Sequence, residues 1–143
     1  MLKLFIAANI LLTAAGRIML CDFGVSALMT NAQSKRTTFM GTPYWMAPEV
    51  LTTSTGSTYD TKADIWSLGV TIYEMAVGKP PHTEVEPMRV ILLIPKIKPP
   101  RLSEAQGGKD MRDFMNNCLR ELAADVRYSV FHLVDAHPPL YSD

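Results

Sequence analysis

The residues best suited to chemistry are an amide and a carboxylate that flank two short apolar runs. Asn9 precedes the first run and Asp22 follows the second. A hairpin whose turn centres between Ala15 and Gly16 would place Asn9 opposite Asp22, with α-carbons within roughly 5 Å. Amide and carboxylate oxygens suit Mg²⁺, which completes its shell with phosphate and water. The pattern predicts a metal site; the alternative is that both side chains merely cap the hairpin.

Short elements are expected to position these groups. Residues 10–13 and 17–21 favour two strands, and Gly16 between them permits the positive φ that tight turns often need. Residues 47–51 favour a short helix with Pro48 at an early position. The polar, threonine-rich residues 25–40 predict a surface loop.

The longest helix is predicted over residues 60–77. Its apolar residues recur at three- and four-residue spacing and also occupy other faces, so burial on most sides is expected. Gly78 and the prolines after it end the helix. Shorter helices are predicted over residues 87–94, 109–119 and 128–138. The fold class is therefore α+β, mainly helical, with one small hairpin.

Composition excludes several classes of function. At 143 residues the chain has the length of one domain, and 14 basic residues balance 14 acidic ones. No charge surplus points to nucleic acid or a membrane surface as partner. Cys21 and Cys118 favour two buried, reduced thiols over a disulfide. The apolar start resembles a secretion signal, but Asn9 interrupts it, so a cytoplasmic protein is expected.

Three further strings carry a family resemblance. They are Asp22-Phe23-Gly24, the ten residues from Gly41 to Val50, and Asp64-Ile65-Trp66-Ser67-Leu68-Gly69. The first two resemble the ends of a protein-kinase activation segment in order and spacing. Over residues 7–119 the chain resembles the C-terminal lobe of a Ser/Thr kinase of the sterile-twenty and germinal-centre group.

That resemblance implies an incomplete kinase-like fold without an N-terminal lobe. Residues 7–134 would form the partial kinase domain, with 1–6 unmatched and 135–143 a tail. The abrupt start suggests a truncated product or a mis-assigned start site. Folding of the isolated chain is doubtful on this interpretation, because apolar partners of the long helix would be exposed.

The resemblance also implies ATP and Mg²⁺ as cofactors and protein Ser/Thr hydroxyls as acceptors. Asp22 would hold the metal that bridges the nucleotide phosphates, and Asn9 would hold a second metal. Leu11 would lie under the adenine ring. Phe23 would pack in the stack whose position separates active from inactive states.

Other roles follow from the same resemblance. Thr38 would be the activating phosphosite, where phosphate would order the loop by pairing with arginine; the alternative is an ordinary loop residue. Thr42 would contact the catalytic aspartate and set the hydroxyl preference. Asp64 would accept hydrogen bonds from the catalytic-loop backbone, whereas Trp66 is expected in the core. The substrate pocket would be formed by Gly41, Thr42, Pro43, Tyr44 and Trp45, although both aromatic residues could equally be core.

The chain departs from the family at the catalytic loop. Leu4 stands where the family has its base aspartate, Ile6 replaces the lysine that steadies the transferred phosphate, and Lys3 replaces an arginine. An alkyl group cannot accept the proton of the substrate hydroxyl. No catalytic residue is intact, and the 143 residues contain no Gly-rich phosphate loop. Two hypotheses follow: a kinase fragment inactive as this chain, or a non-catalytic module that binds substrate-like or regulatory proteins.

A last departure concerns Glu49. In the family this glutamate pairs with an arginine, and here Arg127 stands one residue late without the usual preceding proline. Either Arg127 still reaches Glu49, or Glu49 is a buried unpaired charge that costs about 3–5 kcal/mol.

Overall fold

The computed structural model describes residues 7–21, 43–52 and 62–120. In these ranges the fold is mainly helical with one antiparallel hairpin, as predicted. Its elements are β1 (Ile10–Leu12), β2 (Ile18–Leu20), α1 (Pro48–Thr52), α2 (Lys62–Val77), α3 (Pro87–Leu93) and α4 (Lys109–Cys118). The four helices lie close to their predicted ranges. The predicted loop at residues 25–40 and the helix at 128–138 lie outside the described residues.

The hairpin has a register that differs by one residue from the prediction. Leu11 pairs with Met19, which places Asn9 opposite Cys21. The backbone N–H of Cys21 donates to the carbonyl oxygen of Asn9 at 2.9 Å. The predicted direct pairing of Asn9 with Asp22 is therefore wrong, and Asp22 itself lies outside the described residues.

Loop length explains the shift in register. Three loop residues separate Thr13 from Arg17, whose carbonyl accepts the Thr13 N–H at 2.9 Å. Gly16 closes the loop with φ 77°, the left-handed conformation typical of a three-residue hairpin loop. The prediction assumed an even-numbered loop. A loop that is one residue longer or shorter shifts every strand pair by one position. The side chains of that strand then lie on the opposite face of the sheet.

Helix α2 is buried in its first half and emerges in its second. Ile65 is 2% exposed and Val70 1%, whereas Met75 is 65% exposed. The helix packs against α4 and against the 3-10 turn Pro43–Trp45. From Ile72 onward the helix is only partly buried and Met75 is exposed, but four of its residues still pack against the core: Ile72, Tyr73, Ala76 and Val77.

Two hydroxyls inside α2 are satisfied within the helix. Ser67 Oγ donates to the carbonyl of Asp64 at 2.9 Å, and Thr71 Oγ1 donates to the carbonyl of Ser67 at 3.0 Å. Buried hydroxyls without such partners would be costly. The apolar core around them consists of Trp45, Ala47, Ala63, Trp66, Val70, Val90, Ile94, Leu102, Met115 and Leu119.

The ends of the helices follow their sequence signals. Gly78 has φ 85° and its N–H donates to the carbonyl of Glu74 at 2.7 Å, which ends α2. Pro87 begins α3, where its missing N–H costs no hydrogen bond. Arg101 Nη1 donates to the carbonyl of Leu119 at 3.1 Å and so binds the C-terminal end of α4. Among the described residues no helix is long and apolar enough to cross a bilayer.

Candidate functional site

The described part of the segment predicted to bind substrate is the 3-10 turn Pro43–Trp45, which lies against α2 and α3. Tyr44 is half-buried, and its hydroxyl donates to the carbonyl of Val85 at 3.0 Å. This bond ties the turn to the segment just before α3. The ring of Tyr44 meets that of Trp45 edge to face, with centroids 6.1 Å apart.

Trp45 is hydrogen-bonded to a different element, helix α2. Its indole Nε1 donates to Oε2 of Glu74 on α2 at 3.1 Å, and the side chain is 7% exposed. A hydrogen bond to a carboxylate is stronger than one between neutral groups. Trp45 therefore belongs to the core, and its role in a substrate pocket stays a prediction.

The chain continues from this turn directly into α1. Met46 N donates to the Pro43 carbonyl at 3.1 Å, and Val50 N donates to the Ala47 carbonyl at 3.0 Å. Ala47 is 1% exposed, which anchors the segment in the core. Glu49 lies in the first turn of α1, half-buried, where a carboxylate complements the helix dipole.

The predicted nucleotide end of the site is the open end of the hairpin. Asn9 ends the 3-10 turn Ala7–Asn9 and is half-buried. Its carbonyl accepts the N–H of Cys21 and also the thiol, whose Sγ lies 3.4 Å away. Leu11 in β1 is 49% exposed, so its alkyl surface is accessible to a flat apolar ligand. The side-chain amide oxygen of Asn9 is a hard ligand of the kind that suits Mg²⁺.

Helix α2 begins beside this hairpin end. Asp64 is buried in its first turn and has an interaction partner, and α2 contacts the turn Ala7–Asn9. Trp66 is buried, which confirms its predicted place in the core. The contact between α2 and the turn Ala7–Asn9 therefore places the hairpin end beside the start of the helix.

The two thiols differ in environment, and both are free. Burial without a charged partner raises the pKa of the Cys118 thiol to about 12. Cys118 is fully buried and is therefore inert, while Cys21 is half-buried at the end of β2. The expectation that both are buried is correct for Cys118 only.

Several predicted site residues cannot be compared with the fold. Leu4, Asp22, Phe23, Thr38, Gly41, Thr42 and Arg127 lie outside the described residues. Within residues 7–21, 43–52 and 62–120, no three His, Cys, Asp or Glu side chains come together as a metal-ligand set. The metal site and the phosphosite stay predictions.

Sequence reasoning missed Glu74 as a residue of this site. A single carboxylate in the apolar half of a long helix is the signal that could have revealed it, because such a group needs a hydrogen-bond donor when partly buried. No comparable signal in the sequence pointed to Val85 as the partner of Tyr44, because the acceptor is a backbone carbonyl and every residue carries one.

Comparison with known proteins gives the family. The model of the protein kinase domain matches residues 6–138. The chain belongs to the protein kinase domain family.

Individual relatives are also protein kinases by name. Over 115 residues the chain is 50% identical to serine/threonine-protein kinase KIC1 of Saccharomyces cerevisiae, covering 80% of this chain and 10% of the relative. Over 119 residues it is 49% identical to serine/threonine-protein kinase ppk11 of Schizosaccharomyces pombe, covering 83% and 37%. Misshapen-like kinase 1 of Rattus norvegicus is 49% identical over 113 residues, 78% of this chain and 8% of the relative. The predicted resemblance to the sterile-twenty and germinal-centre group is confirmed, and the chain spans well under half of each relative.

Proposed function

We propose that this chain is part of an ATP-dependent protein serine/threonine kinase and does not itself transfer phosphate. The full protein would move the terminal phosphoryl group of Mg²⁺-bound ATP to Ser or Thr hydroxyls of proteins. Membership of the kinase family and the names of the relatives support this class of reaction.

The observation that carries the proposal is the fixed substrate segment. Two hydrogen bonds from adjacent aromatic residues, Tyr44 to Val85 and Trp45 to Glu74, hold the turn on two different elements. Phosphoryl transfer depends mainly on positioning and electrostatics. A segment held in this way is suited to present one face to a peptide, as the substrate pocket of residues 41–45 requires.

The nucleotide would lie at the hairpin end. Asn9 and Asp22 would supply oxygen ligands to Mg²⁺, Leu11 would contact adenine, and Phe23 would pack behind them. The bound metal would neutralise charge on the phosphates. The half-buried amide of Asn9 and the accessible alkyl surface of Leu11 support these assignments.

Lack of activity follows from the catalytic loop. With Leu4 and Ile6 at the base and lysine positions, the chain offers no side chain to orient the acceptor hydroxyl or to steady the phosphoryl group. Loss of one such catalytic group costs on the order of 10³-fold or more in rate. Thr38 would remain a phosphate acceptor for another kinase, and Thr42 would lack its aspartate partner.

A transfer assay tests this proposal. Purified chain is incubated with Mg²⁺, γ-labelled ATP and a basic protein that contains Ser and Thr, with a blank that lacks the chain. We expect no incorporation above the blank and no micromolar ATP affinity by calorimetry. Turnover above the blank contradicts the proposed inactivity of this chain.

A second experiment tests whether the chain is part of a longer kinase. Sequencing the transcript upstream of Met1 is expected to reveal an in-frame Gly-rich loop.

A non-catalytic module that binds protein partners is the second candidate. The observation that favours it is the apolar surface of the hairpin, where Leu12 and Ile18 are among the most exposed large side chains described. Surfaces of this kind mark interaction sites. An upstream stop codon in frame, with no Gly-rich loop, would favour this candidate. For either function we propose a cytoplasmic protein whose partners are proteins, either substrates or regulatory proteins.

A further inference from the structure

A cleft of about 330 Å³ lies far along the chain from the hairpin and from Trp45. It is formed by the end of α2, by the turn that follows α2 and by the segment that precedes α4. Its volume is in the range of ligand-binding pockets in proteins. Its lining residues include Tyr73, Lys79, Pro81, His82, Pro100 and Arg101.

The cleft is positively charged, although the whole chain has no net charge. Lys79 and Arg101 are exposed lining residues, and Lys98 lines a smaller adjoining cavity. Glu84 is the carboxylate among the described lining residues; its side chain is 68% exposed and its Oε1 lies 3.9 Å from Nδ1 of His82, so it offsets only part of the charge of the two cations. The local excess of cations favours an anionic ligand.

The walls of the cleft are rigid. Prolines at positions 80, 81 and 100 line it, and their fixed φ limits backbone motion. His82 has φ 65°, a left-handed conformation, and its carbonyl accepts the N–H of Val85 at 2.9 Å. Arg101 is held in place by its bond to the carbonyl of Leu119 at 3.1 Å. A site that is ordered before binding loses less entropy when a ligand binds.

The cleft leads toward the substrate segment. The adjoining cavity, of about 10 Å³, shares Pro81, His82 and Pro100 with the cleft and is also lined by Tyr44. The two adjoining cavities together form one elongated lining that includes Tyr44, Lys98 and Lys79. This elongated arrangement suits an extended chain better than a compact ion.

We propose that this cleft binds an extended acidic peptide segment of a partner protein. Lys79 and Lys98 would pair with its carboxylates, Arg101 would add positive charge from its fixed position, and the prolines would contact its backbone and apolar groups. The proposal goes beyond the proposed function, because this binding requires neither nucleotide nor phosphoryl transfer.

The test compares two fluorescein-labelled peptides by anisotropy with the intact chain at low salt, without ATP. One peptide alternates Asp and Pro, and the other carries Asn in place of each Asp. We expect the Asp peptide to bind at least about tenfold more tightly, and added salt to reduce the difference because these charges are exposed. Equal binding of the two peptides overturns the proposal, and this comparison needs no variant.

Two charge reversals locate the site. The Lys79→Glu, Lys98→Glu double variant is expected to lose the preference for the Asp peptide. The Lys96→Glu, Lys109→Glu double variant is the matched control, because it changes the total charge equally and both lysines are exposed but line neither cavity. Equal weakening by the control overturns the proposed location. Displacement of the peptide by inorganic phosphate at equal total charge also overturns the proposal, since it indicates a site for small anions.

Discussion

Gly69 of α2 and Leu119 just after α4 lie so close together that a β-carbon on Gly69 would stand 2.7 Å from Cγ of Leu119. The same β-carbon would lie 2.8 Å from Cβ of Cys118. Both neighbours are fully buried. The absence of a side chain at Gly69 thus sets the distance between the two main helices.

Replacing Gly69 with alanine should destabilise the fold. The added methyl group has no space, and overpacking of a core costs about 1–3 kcal/mol. Denaturant unfolding followed by circular dichroism measures the loss. Met75→Ala on the exposed half of the same helix is the control and should change stability by less than about 0.5 kcal/mol. Wild-type stability of Gly69→Ala would contradict the close packing of α2 on α4.

The bond between Trp45 and Glu74 should appear as a coupling energy. Trp45→Phe removes the indole donor and Glu74→Ala removes the acceptor, so the double variant should lose about 1 kcal/mol less than the two single losses together. A double-mutant cycle from urea unfolding measures this. Trp45→Phe combined with Glu84→Ala should be additive. Additivity in both cycles would mean that the bond contributes nothing to stability.

The turn of the hairpin should depend on the backbone freedom of Gly16. No atom lies within 4 Å of an added β-carbon there, so only the positive φ opposes a side chain. Gly16→Ala should cost about 1 kcal/mol. Hydrogen exchange of the Cys21 amide should then quicken about fivefold. Gly16→Asn is the control, because asparagine tolerates this conformation, and it should exchange more slowly than the alanine variant.

The thiols should differ in reactivity. In native protein near pH 8, iodoacetamide should modify Cys21 and spare Cys118 until the chain unfolds. Mass spectrometry of the digested protein distinguishes the two sites. Rapid alkylation of native Cys118 would mean that the contact between α2 and α4 opens readily.

Stability should also fall at alkaline pH because of Cys118. Its pKa is raised from 9.0 to about 12, so above pH 9 the unfolded chain releases a proton that the folded chain retains. The free energy of unfolding should therefore decrease as pH rises from about 9 to 12. Cys118→Ala should have a smaller slope over that window. If Cys118→Ala has the same slope as the wild type, other groups cause the loss of stability at alkaline pH.

Local signals predicted the helices well. Pro48 and Pro87 marked helix starts, and Gly78 marked the end of α2, because each residue acts through its own backbone. The register of the hairpin was wrong, since a loop of two and a loop of three residues both suit Ala15 and Gly16. The exposure of Met75 was also missed, because it depends on which other elements pack against that face of α2.

The candidate site was predictable only in part. The strings around Tyr44 and Asp64 showed which segments belong to it, because the resemblance extends over them. The partners of Tyr44 and Trp45 come from positions 41 and 29 residues away along the chain. Contacts at such separation follow from packing of whole elements, which no local pattern contains. The cleft around Lys79 and Arg101 was missed for the same reason.

The bonds of Tyr44 and Trp45 have a consequence for selectivity. Each aromatic residue has already used its donor hydrogen, one on the Val85 carbonyl and one on Glu74. A peptide that lies over this segment, as proposed, would therefore meet mainly the carbon surface of the half-buried Tyr44 rather than unsatisfied hydrogens. Discrimination at that position should follow the size and shape of the incoming side chain, and apolar surfaces separate side chains that differ by one methylene by only about 1–3 kcal/mol.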